Sequence, residues 1–171
     1  VHCVGLTGQM HGLVALDEDD QVIRPAILWN DQRTHEQCAV IEAAIGRERM
    51  IEITGKPVLT GFTLPKITWM QSNEATSWQK VASMLLPKDY IRFLLTGCRG
   101  IDVSDASGTS MLDLSTRQWS SEVLGQLGID ERVLPPVMES STVVGEVTSE
   151  AASSCGLKAG TPVVAGAGDQ A

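Results

Sequence analysis

Val1-His2-Cys3-Val4-Gly5-Leu6-Thr7-Gly8-Gln9-Met10-His11-Gly12 opens the chain, and how these twelve residues are read decides the fold. The apolar run from Val1 to Leu6 predicts a buried strand. Gly8 and Gly12 then fall where a loop leaves the sheet and backbone can approach a ligand closely. His11 rides on that loop. A second stretch, Pro25-Ala26-Ile27-Leu28-Trp29-Asn30-Asp31-Gln32-Arg33-Thr34, packs an indole, an amide, a carboxylate and a guanidinium close together. Such a density of hydrogen-bonding groups around an aromatic wall suits a polyhydroxylated ligand better than a core, and the two stretches together read as a sugar pocket.

Composition narrows the classes. A chain of 171 residues with 43% hydrophobic content is expected to form one domain or part of one, since single domains run to roughly 100–200 residues. The 21 acidic against 13 basic residues give a formal net charge of -8. With no Lys/Arg run, this disfavours nucleic acid and anionic membrane as partners and favours a neutral small molecule. Cys3, Cys38, Cys98 and Cys155 form no Cys-x-x-Cys pair, so no metal site is expected; they read as buried, reduced thiols of a cytoplasmic protein. No apolar stretch reaches the roughly 18 residues of a membrane span.

Outward from the opening loop, residues 13–17 and 21–23 predict a hairpin turning on Asp17-Glu18-Asp19-Asp20. Helical periodicity follows from Asp31 to a stop at Gly46, with a second short helix over Arg47 to Ile53. Thr63 is the expected N-cap of a helix that turns Trp69 and Met70 inward. Residues 81–86 predict a buried strand and 88–95 a helix ended by Gly97. The stretch 101–109 reads as a polar loop held by side-chain hydrogen bonds, followed by a strand over 110–114. Residues 119–122 open another helix, 142–147 form an apolar run, 149–156 a short helix and 162–165 the last strand. Strands interleaved with helices indicate an α/β fold.

Asp169 follows the strand Val163-Val164-Ala165 and the turn Gly166-Ala167-Gly168. It stands at the carboxyl end of a strand, where α/β sheets place ligands; the residue type also suits a helix N-cap. Gly166-x-Gly168-x-x-Ala171 fits a dinucleotide fingerprint in outline only, because that fingerprint belongs to the first βα turn of its domain. Trp29 is open to two roles, stacking on a sugar's carbon skeleton or filling the core. Asp31 and Arg33 either bracket hydroxyls or cap and pair within the following helix.

Gly8-Gln9-Met10-His11-Gly12 and Pro25-Ala26-Ile27-Leu28-Trp29-Asn30-Asp31-x-Arg33 resemble the FGGY carbohydrate kinase family, and within it the xylulokinases. Gly61-Phe62-Thr63-Leu64-Pro65-Lys66-Ile67-Thr68-Trp69-Met70 is similar to the first family signature, and the block from Asp102 to Thr109 and the closing Gly166-Ala167-Gly168-Asp169-Gln170-Ala171 match in order. The resemblance implies a ribonuclease H-like (actin-like ATPase) α/β domain, incomplete at its amino end, with residues 1–171 as the partial amino-terminal, sugar-binding domain. It implies ATP-dependent phosphorylation of D-xylulose to D-xylulose 5-phosphate, with ATP and Mg2+ as cofactors, and a homodimer as an open expectation. Asp169 takes the place of the catalytic base, which accepts the proton of the attacking hydroxyl. Met10, His11, Trp29 and Gln170 are expected at the sugar. Gln170 departs from the Asn common in xylulokinases and matches glycerol kinases. Pro65, Trp69, Asp102 and Asp105 read as architecture, and Lys66 as a helix-surface cation. A phosphate hairpin and second lobe are expected outside 1–171, so the stretch alone is expected to be inactive. The alternatives are another FGGY kinase, of gluconate, ribulose or glycerol type, or a non-catalytic sugar-binding fragment.

Overall fold

A computed structural model describes all 171 residues. Ten short strands, eight α-helices and one 3-10 turn alternate along the chain. The strands are β1 (Thr7–Gly8), β2 (Val14–Leu16), β3 (Ser83–Leu85), β4 (Ile101–Asp102), β5 (Leu112–Asp113), β6 (Gln118–Trp119), β7 (Val137–Met138), β8 (Val143–Glu146), β9 (Pro162–Val164) and β10 (Ala167–Gly168). The helices are α1 (His35–Ile45), α2 (Arg47–Thr54), α3 (Thr63–Asn73), α4 (Ala75–Trp78), α5 (Pro87–Thr96), α6 (Val103–Gly108), α7 (Ser121–Gln126) and α8 (Ser149–Cys155).

The pairing that matters for function joins the two ends of the chain. Val4 bridges Val163 in parallel, and β1 continues alongside β10, Thr7 opposite Ala167 and Gly8 opposite Gly168. Amides at Val164, Ala167 and Asp169 donate to carbonyls of Val4, Leu6 and Gly8 in turn. The opening loop therefore emerges beside Asp169, though some 160 residues separate them. Gly166 makes the turn between β9 and β10 with φ +81°, and a Cβ there would lie 2.1 Å from the Leu6 carbonyl oxygen. Only glycine fits such a left-handed, closely approached position.

Leu13 to Leu16 are all buried, and β2 pairs antiparallel with β3. The expected hairpin is present as the Leu16–Val22 and Leu13–Ile27 bridges around the acidic turn. One main core of 19 buried residues lies under α1, α2 and α3, with Ile41, Met50, Leu64, Ile67 and Met70 fully enclosed. Burying a side chain of that size stabilises by roughly 1.5–3 kcal/mol. The helix stops at Gly46 and Gly97 stand where the sequence puts them.

Four expectations are corrected. Val1 to Leu6 are not a buried strand: the run pairs on one edge alone, through the Val4–Val163 bridge, regular pairing begins at Thr7, and Val1, Cys3 and Gly5 are exposed. Thr63 is the first residue of α3, not its cap; Phe62 holds the cap position without a side-chain bond, because residues 63–68 are all buried and face protein on every side. The stretch 101–109 is not a loop but β4 followed by α6, whose N-terminal amides at Ser104 and Asp105 donate to the Asp102 carboxylate. Asp102 is a cap of the kind that satisfies otherwise orphaned helix donors. The four cysteines are unbridged, but none is fully buried: Cys38 and Cys98 are half-buried, and Cys3, in the irregular opening segment, and Cys155, the last residue of α8, are exposed. No helix is long and apolar enough to cross a membrane.

Candidate active site

Six residues line a cavity of about 260 Å³: Gln9, Met10, His11, Trp29, Asp169 and Gln170. Five of them, Met10, His11, Trp29, Asp169 and Gln170, are those singled out from the sequence, and the fold brings them together from three separate stretches. Trp29 is 56% exposed, so it is a wall of the cavity and not core. Asp169 and Gln170 are exposed at the rim. The Met10 amide donates to Asp169 Oδ1 at 3.3 Å, and the Asp169 amide to the Gly8 carbonyl at 3.0 Å. The carboxylate is thus fixed by backbone on one side and open on the other.

His11 adopts φ +67°, a conformation rare for a side chain with a Cβ. Its Nδ1 lies 2.8 Å from the Gly108 carbonyl oxygen. A carbonyl only accepts, so Nδ1 carries the proton, and neutral His11 keeps Nε2 as an acceptor. Burial pushes the His11 pKa down; the Gly108 carbonyl opposes this, and the charges of Lys66 and Lys56 add to it. The ring rests against Phe62 at 4.7 Å between centroids. Gln9, which the sequence reading passed over, places its Oε1 buried with no protein donor. Its position beside Met10 in the loop was the available signal.

Asp31 and Arg33 do not line the cavity. They form a bidentate pair, Arg33 Nη2 to Asp31 Oδ2 at 2.7 Å, with the guanidinium 4.7 Å from the Trp69 ring centroid. Lys66 is corrected from surface cation to fully buried: its Nζ donates to the His11 carbonyl at 2.7 Å and to the Gly61 carbonyl. Burial holds its pKa down at about 8.

Behind Asp169 lies a group that the sequence reading did not assemble. Lys88, Asp89, Arg92, Asp102 and Asp105 are all buried. The Lys88 ammonium bonds Asp102 and lies 3.0 Å from Asp105 and 3.4 Å from Asp89, and Arg92 Nη1 pairs with Asp89 at 2.9 Å. Both cations also donate to the Ala165 carbonyl, Arg92 at 2.7 Å and Lys88 at 3.3 Å, and the Gly168 amide donates to Ser104 Oγ at 3.3 Å. The cluster clamps the backbone turn that presents Asp169. The three carboxylates come within 4.8 Å of one another, with a lysine ammonium among them. Burial lifts Asp105 to about 6 and raises Asp89 as well. For Lys88 burial pulls the pKa down, but Asp89, Asp105 and Asp102 outweigh it and leave it raised.

No Lys or Arg side chain lines the cavity. A triphosphate needs cationic or backbone-nest partners, so these residues do not fit ATP and its magnesium, whereas a neutral polyol finds acceptors at Asp169 and Gln9 and an indole wall.

The model of the FGGY family of carbohydrate kinases, N-terminal domain, matches residues 1–171. A xylulose kinase of Bacillus subtilis (strain 168) is 44% identical over 168 residues, 98% of this chain and 34% of that protein. A xylulose kinase of Escherichia coli (strain K12) is 42% identical over 171 residues, 100% of this chain and 35% of that protein. The crystal structure of xylulose kinase from Rhodospirillum rubrum superposes with a TM-score of 0.95 at 30% identity, covering 99% of this chain and 35% of that one. The chain spans about a third of the length of these relatives. Its mixed α/β architecture is the actin-like ATPase fold of these kinases, and the chain belongs to the FGGY family of carbohydrate kinases.

Proposed function

We propose that the cavity is the sugar half of an ATP-dependent kinase site, and that the protein of which this chain is part phosphorylates D-xylulose at its terminal hydroxyl, giving D-xylulose 5-phosphate. The observation that carries the reading is the convergence of Met10, His11, Trp29, Asp169 and Gln170 on one cavity without a cation in its lining. Relatives bearing the name xylulose kinase over nearly the whole chain support the substrate.

Trp29 offers its face to the carbon skeleton, and His11 Nε2, Gln9 Oε1 and Gln170 orient hydroxyls. Asp169 accepts the proton of the attacking hydroxyl. Phosphoryl transfer asks mainly for positioning and charge stabilisation, and this chain supplies the positioning of the acceptor. ATP with Mg2+ supplies the phosphoryl group and is held by residues other than those of the cavity.

Isotope-labelled chain titrated with D-xylulose tests the reading by NMR. The amides of Met10 and His11 and the indole of Trp29 are expected to shift together, with glycerol far weaker. No response at saturating sugar, or shifts confined to other surfaces, would overturn it.

A further inference from the structure

We propose that Lys66 is a positioning residue that sets the width of the cavity, its buried amine tying the His11 side to the Trp29 side through two backbone carbonyls. The proposal rests on reading the cavity as the sugar site.

Lys66 has no exposed surface and takes part in no salt bridge. A buried cation without a carboxylate partner is costly, and its lowered pKa reflects that cost. Lys66 joins two backbone segments, one that carries His11 of the cavity lining and one that abuts the Trp29 peptide. One acceptor is the carbonyl of His11, whose left-handed backbone is strained and persists only where its surroundings fix it. The other is the carbonyl of Gly61. A Cβ on Gly61 would meet the Trp29 carbonyl oxygen at 3.0 Å, so the backbone at 61 abuts the Trp29 peptide. Phe62, next in the chain, supports the His11 ring. Lys66 Nζ is therefore the polar bridge between the loop carrying His11 and the segment backing Trp29. Two N–H groups suffice for two carbonyls, so the bridge survives loss of the third proton.

The test uses the full-length kinase with Lys66→Met, which keeps an apolar stem of similar length and removes the donors, and Gly61→Ala, which keeps every Lys66 contact but presses on Trp29. For Lys66→Met the ketose KM should rise about tenfold, the size of one lost hydrogen bond, with kcat and the ATP KM nearly unchanged. Selective carbon labelling of histidine should show the His11 backbone leaving the left-handed region. Retention of that signature in Lys66→Met would overturn the proposal. A released His11 with an unchanged ketose KM would instead overturn the sugar assignment, and with it the claim about width. If Lys66→Met does not fold, Gly61→Ala decides: a several-fold rise in ketose KM is expected, and an unchanged value would overturn the proposal.

Discussion

Five charged side chains lie buried behind the turn at 165–168, and one residue further on Asp169 stands in the open. The buried set, Lys88, Asp89, Arg92, Asp102 and Asp105, is engaged with itself and with the Ala165 carbonyl. Asp169 takes a single long bond, from the Met10 amide at 3.3 Å. The contrast separates two uses of charge. Ions that partner each other in the interior fix the backbone, whereas a carboxylate kept at a cavity rim with its lone pairs free can be read by a ligand or take up a proton.

The contrast can be broken first on its buried side. Lys88→Met leaves three carboxylates facing one another without their central cation, and breaking one partner of a buried ionic group costs about 3–5 kcal/mol. Denaturant unfolding should show a loss of that order, against a typical domain stability of about 5–15 kcal/mol. An unchanged midpoint would mean the cluster fixes nothing.

Next comes a pH dependence. Asp105, lifted to about 6 by burial, holds its proton in the folded state at pH values where the unfolded chain, near the ordinary aspartate value of 3.8, has released it. The folded state then binds more protons between these values, so this group's contribution to stability falls as pH rises from about 4 to 6. Asp105→Asn should remove that fall, seen as the difference between wild-type and variant stability across the window. Parallel pH profiles would contradict the shift.

A smaller effect is expected on the exposed side. Trp29→Ala should weaken ketose binding by roughly 1–2 kcal/mol, the order of a lost stacking wall, while the melting temperature stays put because the indole is half exposed. Loss of stability without loss of binding would return Trp29 to the core.

How much of this was legible in the sequence follows the same division. The cavity residues were legible because they sit in short stretches whose composition makes little sense in a core: a glycine-flanked loop with Met10 and His11, an indole among polar groups, a carboxylate after a strand and turn. The buried cluster was not. Along α5, Lys88, Asp89 and Arg92 have the spacing of a solvated face, yet they point inward, while Ile91 and Leu94 are 49% and 53% exposed. Their partners Asp102 and Asp105 come from α6 and its cap, which the small polar residues of 101–109 disguised as a loop. Lys66 was misread for a related reason, since a lysine in a helix is presumed to face water, and only the burial of the first turns of α3, residues 63–68, on every side shows otherwise. Pairing across the fold decides such cases, and periodicity carries no trace of it.

The most direct measurement of the central claim is Asp169→Asn in the full-length kinase. Asparagine keeps the shape of the side chain and can still accept the Met10 amide, but it cannot take a proton. The account predicts a fall in kcat of about 10²–10⁴-fold, the range of general-base catalysis, with the ketose KM changed much less and the melting temperature unaltered. A variant keeping more than about a tenth of wild-type kcat lies outside that range, and would show that Asp169 shapes the cavity without acting as its base.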